Sequence, residues 1–221
     1  MVLPASILTG MCYSCSMKIL MICGTPDEYG TVRMTAEYLK AGLEQHGLET
    51  EMYQVRDDVQ GCTACGKCYK TSRCAIEDDV NMIAGKMAEA GGLIAVTPVV
   101  YGRASGKTVL FLERLFRSNP EVFSAKPAAA VPVMRRRGKE QAYEQLLDLF
   151  AQGNMLVLTS ASHFVIAGTA SPQSGSDEGE NRNRKLLVEQ MSYVLQCIRA
   201  GKEKGLPEPE EKPEKDLSYY R

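Results

Sequence analysis

The chain has 221 residues, 44% of them apolar, and a formal net charge of −1. That length suits one domain, or one domain with a tail. The near-zero charge argues against nucleic acid or an anionic membrane surface as a partner. No apolar stretch reaches the ~18 residues of a transmembrane helix.

Residues 1–16, MVLPASILTGMCYSCS, lack the basic start and long apolar run of a signal peptide. They read as an extension, with Met17 a candidate initiator and a cytoplasmic setting expected. Cys12 and Cys15 form a C-x2-C pair that, alone, reads as incidental. From Lys18 to Cys23 the chain is continuously apolar, as a strand buried on both faces is. A loop with Gly24, Thr25, Gly30 and Thr31 follows. Thr31–His46 then reads as an amphipathic helix with Met34, Tyr38, Ala41 and Gln45 near one face, Leu39 and Leu43 alongside, stopped at Gly47. Leu48–Val55 alternates like a strand. Asp78 and Asp79 open a helix through Glu89, with Val80, Ile83, Ala84 and Met87 on its apolar side.

Leu93–Thr97 is the third expected strand, and Ser105–Arg117 a helix carrying Val109, Leu112, Leu115 and Phe116. Ala128–Met134, Glu140–Gln152 and Met155–Thr159 continue as strand, helix and strand, and Asp177–Arg199 is the last helix. Alternating strands and helices give an α/β three-layer sandwich with a five-stranded parallel sheet, doubly wound and flavodoxin-like. The expected organisation is an extension (1–16), a domain (17–201) with a cysteine-rich insertion after the second strand (56–77), and a C-terminal arm (202–221). The arm starts charged and proline-rich, which opposes a core of its own, and ends with Leu217, Tyr219 and Tyr220. It is expected either to dock on a neighbouring subunit or to stay disordered.

The insertion holds Cys62, Cys65, Cys68 and Cys74, spaced C-x2-C-x2-C-x5-C. Three thiolates at intervals of three, with a fourth on a short arm, suit a cubane 4Fe–4S cluster. A structural zinc site more often pairs two knuckles separated by a dozen or more residues. Disulfides in a reducing compartment, or buried and redox-active thiols, are the other readings. Without a second run of four, one cluster per chain is the limit.

In such a fold a ligand binds beyond the C-terminal ends of the strands, where the strand order reverses. In loop 24–31 the backbone N–H groups at a helix start suit a phosphate, with Thr25 and Thr31 as added donors. In loop 97–106, Thr97 and Pro98 leave the strand and Val99, Val100 and Tyr101 are placed to face a flat aromatic ring. Gly102 admits the ring's edge there, and Ser105 is a candidate helix cap. The run Arg135–Arg136–Arg137–Gly138–Lys139 suits a nucleotide phosphate, an acidic partner, or a solvated turn. His163 follows the last strand, and as a lone histidine reads as a packing residue. His46, closing a helix, suits the negative end of its dipole.

Together these residues resemble the iron–sulfur flavoprotein family, a branch of the NADPH-dependent FMN reductase group with a flavodoxin-like fold. The similarity runs from about Met17 to Ala200. It is carried by the cysteine run, by Ile76–Glu77–Asp78–Asp79 after it, by Thr97–Pro98–Val99–Val100–Tyr101–Gly102, and by Ser105 and Arg114 in the next helix. The resemblance implies FMN, one 4Fe–4S cluster, a ferredoxin-like electron carrier and a homo-oligomer. The implied role is an electron-transfer oxidoreductase. The alternatives are a cluster-free NAD(P)H-dependent FMN or quinone reductase, and a thiol or zinc redox switch without turnover. One departure stands out. The family's first loop reads G-S-P-R, whereas this chain has Gly24–Thr25–Pro26–Asp27–Glu28. Two carboxylates oppose a phosphate unless they point away.

Overall fold

Every strand of the sheet's main path runs the same way. The computed structural model describes residues 16–28, 30–134, 139–159, 166–167 and 178–209. The elements are β1 (Lys18–Cys23), α1 (Thr31–Gln45), β2 (Glu49–Gln54), α2 (Cys68–Thr71), α3 (Asp79–Glu89), β3 (Gly92–Val100) and β4 (Arg103–Ala104). They continue as α4 (Gly106–Ser118), a 3-10 turn at Pro120–Val122, β5 (Pro127–Met134), α5 (Lys139–Gln152), β6 (Leu156–Val157), β7 (Ile166–Ala167) and α6 (Glu178–Glu203). The path runs β2-β1-β3-β5-β6, which is the flavodoxin-like order, and it reverses between β1 and β3.

Side chains alternate across each strand with period two. Leu20, Ile22, Leu93, Ala95, Ala128 and Ala130 join one core with α3, α4 and α5. Ile19, Met21, Cys23, Ile94, Val96, Ala129 and Val131 join the other, with α1 and α6. Both faces are therefore covered, and the strands read as continuous apolar runs for that reason. Phe116 stacks on Phe123 with centroids 4.1 Å apart, and burying each such ring is worth roughly 1.5–3 kcal/mol.

Four local expectations need correcting. The buried stripe of α1 is Val32, Thr35, Ala36, Leu39 and Leu43, while Tyr38, Ala41 and Gln45 are exposed. The stripe begins one residue into the helix, so its phase is set by Val32. The third strand does not end at Thr97. It runs on to Val100, because Val99 and Val100 pair antiparallel with Ala104 and Arg103 of β4. Pro98 therefore lies inside β3, opposite Val133 of β5. Its carbonyl accepts the Ser105 N–H on the edge that β1 has already left, so its missing N–H interrupts no parallel ladder. The fifth strand of the path is only two residues long, Leu156–Val157. Finally, the cysteine insertion contains a short helix, α2.

The expected features at 1–15, Tyr29, Arg135–Gly138, His163 and the tail from 210 onward lie outside the described residues. Of the loop after β6, residues 158–159 and Ile166–Ala167 are described, the latter pairing with Val133 and Met134 of β5.

Candidate functional site

The cysteine insertion begins where β2 ends, at Val55, whose N–H donates to the Cys23 carbonyl at 2.8 Å. Lys107 of α4 pairs with Asp57, and Gly61 runs so close over α4 that an added Cβ would lie 3.0 Å from Leu110. Ala64 (φ 54°) and Gly66 (φ 69°) are left-handed, so the chain between Cys62 and Cys68 curls back on itself. For Ala64 that conformation costs roughly 1 kcal/mol. Cys68 opens α2, and Ser72 ends it in another left-handed residue. Cys62 and Cys65 are exposed, while Cys68 and Cys74 are partly covered.

Cys74 is held from two helices. Asn81 of α3 clamps its backbone, accepting the Cys74 N–H at 2.9 Å and donating to the Cys74 carbonyl at 3.1 Å. Arg114 of α4 reaches its sulfur, with Nε at 3.4 Å and Nη2 at 3.2 Å from Sγ. The same guanidinium donates to both Asp78 carboxylate oxygens, at 2.5 and 2.9 Å, and to the Gln60 carbonyl at 3.2 Å. The Arg114 side chain has no exposed surface. Burial works against its charge, and the Asp78 carboxylate and the Cys74 sulfur more than offset that, so its pKa is raised. Asp78 also caps α3 by accepting the Val80 N–H at 3.2 Å. Arg117 donates to Tyr69 Oη at 2.9 Å and so ties α2 to α4.

One pocket is lined by all four cysteines together with Arg114 and Arg117. Its donor set is soft thiol sulfur, the chemistry that Fe–S clusters take. The Lys67 backbone N–H, with the Thr63 hydroxyl and the Lys67 charge, lowers the Cys65 thiol pKa and favours the ligating thiolate. Among the described residues no group of three His, Cys, Asp or Glu side chains converges as a single ion requires. A cubane makes a different demand, since each of its thiolates takes a separate iron. Cys23 is buried at the end of β1, where desolvation raises its thiol pKa.

The second candidate region is the adjoining edge between β1 and β3. The Gly24 N–H donates to the Val96 carbonyl at 2.7 Å, and a Cβ there would sit 2.1 Å from Thr108 Oγ1. Only glycine fits. Thr97 is fully buried, its Oγ1 3.0 Å from Thr108 Oγ1 and accepting the Ser105 N–H at 3.2 Å. The Thr97 hydroxyl thus braces the start of α4 beneath the edge. Ser105 does not cap α4 with its side chain. It is nearly buried, and its N–H bonds back to Thr97 and Pro98.

In the first loop, Thr25 Oγ1 accepts the Asp27 N–H at 3.1 Å. Gly30 is the N-cap of α1 and Thr31 is the first helical residue. A Cβ on Gly30 would lie 2.6 Å from Asp27 Oδ2. The Asp27 carboxylate therefore lies against the α1 start, where the helix dipole favours it and where a phosphate is expected.

At the other loop, Tyr101 (φ 48°) and Gly102 (φ 77°) form the two-residue turn between β3 and β4. Two left-handed residues are what a type I′ hairpin turn needs, but tyrosine adopts that conformation under strain. Tyr101 is fully exposed and Val100 is 52% exposed. Val99 packs against the α3–α4–α5 core. Adjacent strand residues point to opposite faces, so Val99 does not share the face of Val100, contrary to expectation. Thr25, Gly30, Thr31, Val100, Tyr101 and Gly102 remain as the open part of this edge.

Sequence reading alone did not reveal what Arg114 does, although a signal exists. It lies three residues after Phe111 and four before Ser118, on the buried stripe of α4, where a charge demands a partner.

The chain matches the model of the NADPH-dependent FMN reductase family over residues 17–172. An iron–sulfur flavoprotein of Methanocaldococcus jannaschii is 29% identical over 149 residues, 64% of this chain and 76% of that one. Another, from Methanosarcina thermophila, is 29% identical over 153 residues, 67% and 80% of the two chains. Among solved structures, the NAD(P)H:acceptor oxidoreductase FerB of Paracoccus denitrificans superposes with a TM-score of 0.60 at 14% identity, covering 81% of this chain and 97% of its own. A flavodoxin from the domain Archaea superposes at 0.54 with 14% identity, covering 81% and 98%. At those identities the structures establish the flavodoxin-like fold.

Proposed function

This chain belongs to the NADPH-dependent FMN reductase family, and from that premise we propose that it is an electron-transfer flavoprotein holding FMN and one 4Fe–4S cluster and exchanging electrons with a ferredoxin-like carrier. The observation that carries this reading is the shared pocket of Cys62, Cys65, Cys68 and Cys74, walled by Arg114. The names of the relatives, iron–sulfur flavoproteins, agree with it.

Cys62, Cys65, Cys68 and Cys74 hold the cluster. The α1 start at Gly30 and Thr31, with Thr25, takes the FMN phosphate, and Val100, Tyr101 and Gly102 flank the flavin ring. Thr97, Pro98, Val99 and Ser105 support that edge from beneath. When bound, FMN supplies one- and two-electron states and the cluster a one-electron step, so the pair joins two-electron chemistry to a one-electron chain. The protein's own part is to position and shield them. The α4 helix starts at the flavin edge and carries Arg114 roughly two turns further on, so one rigid element serves both regions. Assembly into a homo-oligomer would cover the exposed Tyr101 turn.

The test is anaerobic purification followed by iron, sulfide and FMN analysis on one sample. Four irons, four sulfides and one FMN per chain are expected, with iron lost in Cys68→Ser. FMN without iron would replace this reading with the cluster-free NAD(P)H-dependent reductase, and stoichiometric zinc without FMN with the thiol or zinc switch. Mixing with reduced ferredoxin, and separately with NADPH and NADH, then identifies the donor. Fast bleaching by a nicotinamide nucleotide, with none by ferredoxin, would overturn the carrier assignment.

A further inference from the structure

We infer that Arg114 is a positioning residue that sets the reduction potential of the cluster through Cys74. The inference rests on the cluster reading above. Its warrant is the division of labour within one guanidinium. The Asp78 and Gln60 bonds fix the plane of the fork. Nε and Nη2 are then left aimed at a single sulfur, Cys74 Sγ, at 3.4 and 3.2 Å.

Packing alone does not account for this arrangement. Asp78 is partly exposed, and an ion pair with one exposed partner adds little to the stability of a fold. The side chain is fully buried, so its field on the sulfur is weakly screened. Charge-assisted N–H donors stabilise negative charge on the sulfur they face. Reduction adds an electron, so donors to a ligating sulfur favour the reduced state and raise the potential. The Asn81 clamp holds the Cys74 backbone in register with the fork. Cys62 and Cys65 lie on the exposed curl, so the bias acts through the Cys74 side.

The experiment uses the full chain, prepared anaerobically, as wild type, Arg114→Lys and Asp78→Asn. Iron and sulfide are measured, and the reduced cluster is followed by electron paramagnetic resonance during a potentiometric titration. Lysine keeps the charge but cannot place two fixed donors on the sulfur. Arg114→Lys is expected to bind iron, to lose it faster to a chelator, and to shift the reduction constant downward by about tenfold, 59 mV for one electron. Asp78→Asn removes the carboxylate charge but keeps an α3 cap, a side-chain oxygen that accepts from the fork, and the arginine itself, and is expected to show no downward shift. If Arg114→Lys fails to fold, Arg114→Gln takes its place with a downward shift at least as large, since it removes the charge as well as the fork.

A cluster of unchanged potential in the Arg114 variant would overturn the inference alone. So would an equal downward shift in Asp78→Asn, which would reduce Arg114 to an ion-pair role. A wild-type protein without iron would overturn the cluster reading itself, and this inference with it.

Discussion

The cysteine arm and the proposed flavin edge share one helix and are built on opposite plans. The arm is locked by charge. Arg114 spans Asp78, Gln60 and Cys74, and Asn81 holds the Cys74 backbone. The edge is locked by the absence of bulk and by backbone strain. Gly24 admits Thr108, Gly30 admits Asp27, and Tyr101 is held left-handed at an exposed turn. A ligand bound through side-chain sulfur needs those side chains fixed. A ligand bound through main-chain N–H groups and a flat ring needs the main chain bare. The difference follows from which atoms do the binding.

The comparison is most directly broken at Asp78. Asp78→Ala strands a fully buried arginine charge and removes the α3 cap. A loss of about 3–5 kcal/mol is expected in urea denaturation. A loss below about 1 kcal/mol would mean the arm is not locked by charge. On the other side, Gly24→Ala drives a methyl group into Thr108 and is expected to cost about 1–3 kcal/mol in the same assay. FMN content should fall with it, since the β1 edge must shift.

Tyr101→Gly sharpens the contrast because stability and binding move in opposite directions. Relief of the left-handed strain should stabilise the protein by about 1 kcal/mol. Loss of the aromatic face should weaken FMN, read by fluorescence titration. Unchanged affinity would remove Tyr101 from the flavin edge. The smallest effect is expected from Asp27→Asn. Without the carboxylate the α1 start is freed for a phosphate, and FMN should bind roughly threefold more tightly, ~0.6 kcal/mol. Weaker binding would mean that Asp27 makes a contact the flavin needs.

The fold was largely legible because its sheet is buried on both faces. Lys18–Cys23 reads as a strand and is one, residue for residue. What escaped was pairing between segments. Nothing in Thr97–Val100 announces that Arg103–Ala104 will fold back and extend β3, since Tyr101 is an unfavourable turn residue. Edge strands were equally obscure. Met155–Thr159 has the composition of a strand, but only two of its residues pair. At the candidate site, the shared position of the four cysteines was readable because they are close in sequence. The hold on Cys74 was not, because it comes from α3 and α4, seven and forty residues away.

The cysteine arm leaves from β2, which among the described residues pairs with β1 alone, at the margin of the sheet. An insertion at that point shifts no strand pairing further in. The strand pairing from β1 to β5 does not depend on the arm's length, although Val59 and Cys74 of the arm pack on the core. A lineage could thus gain or discard this segment in a single step while the fold persists, provided that the buried charge at position 114 changed with it.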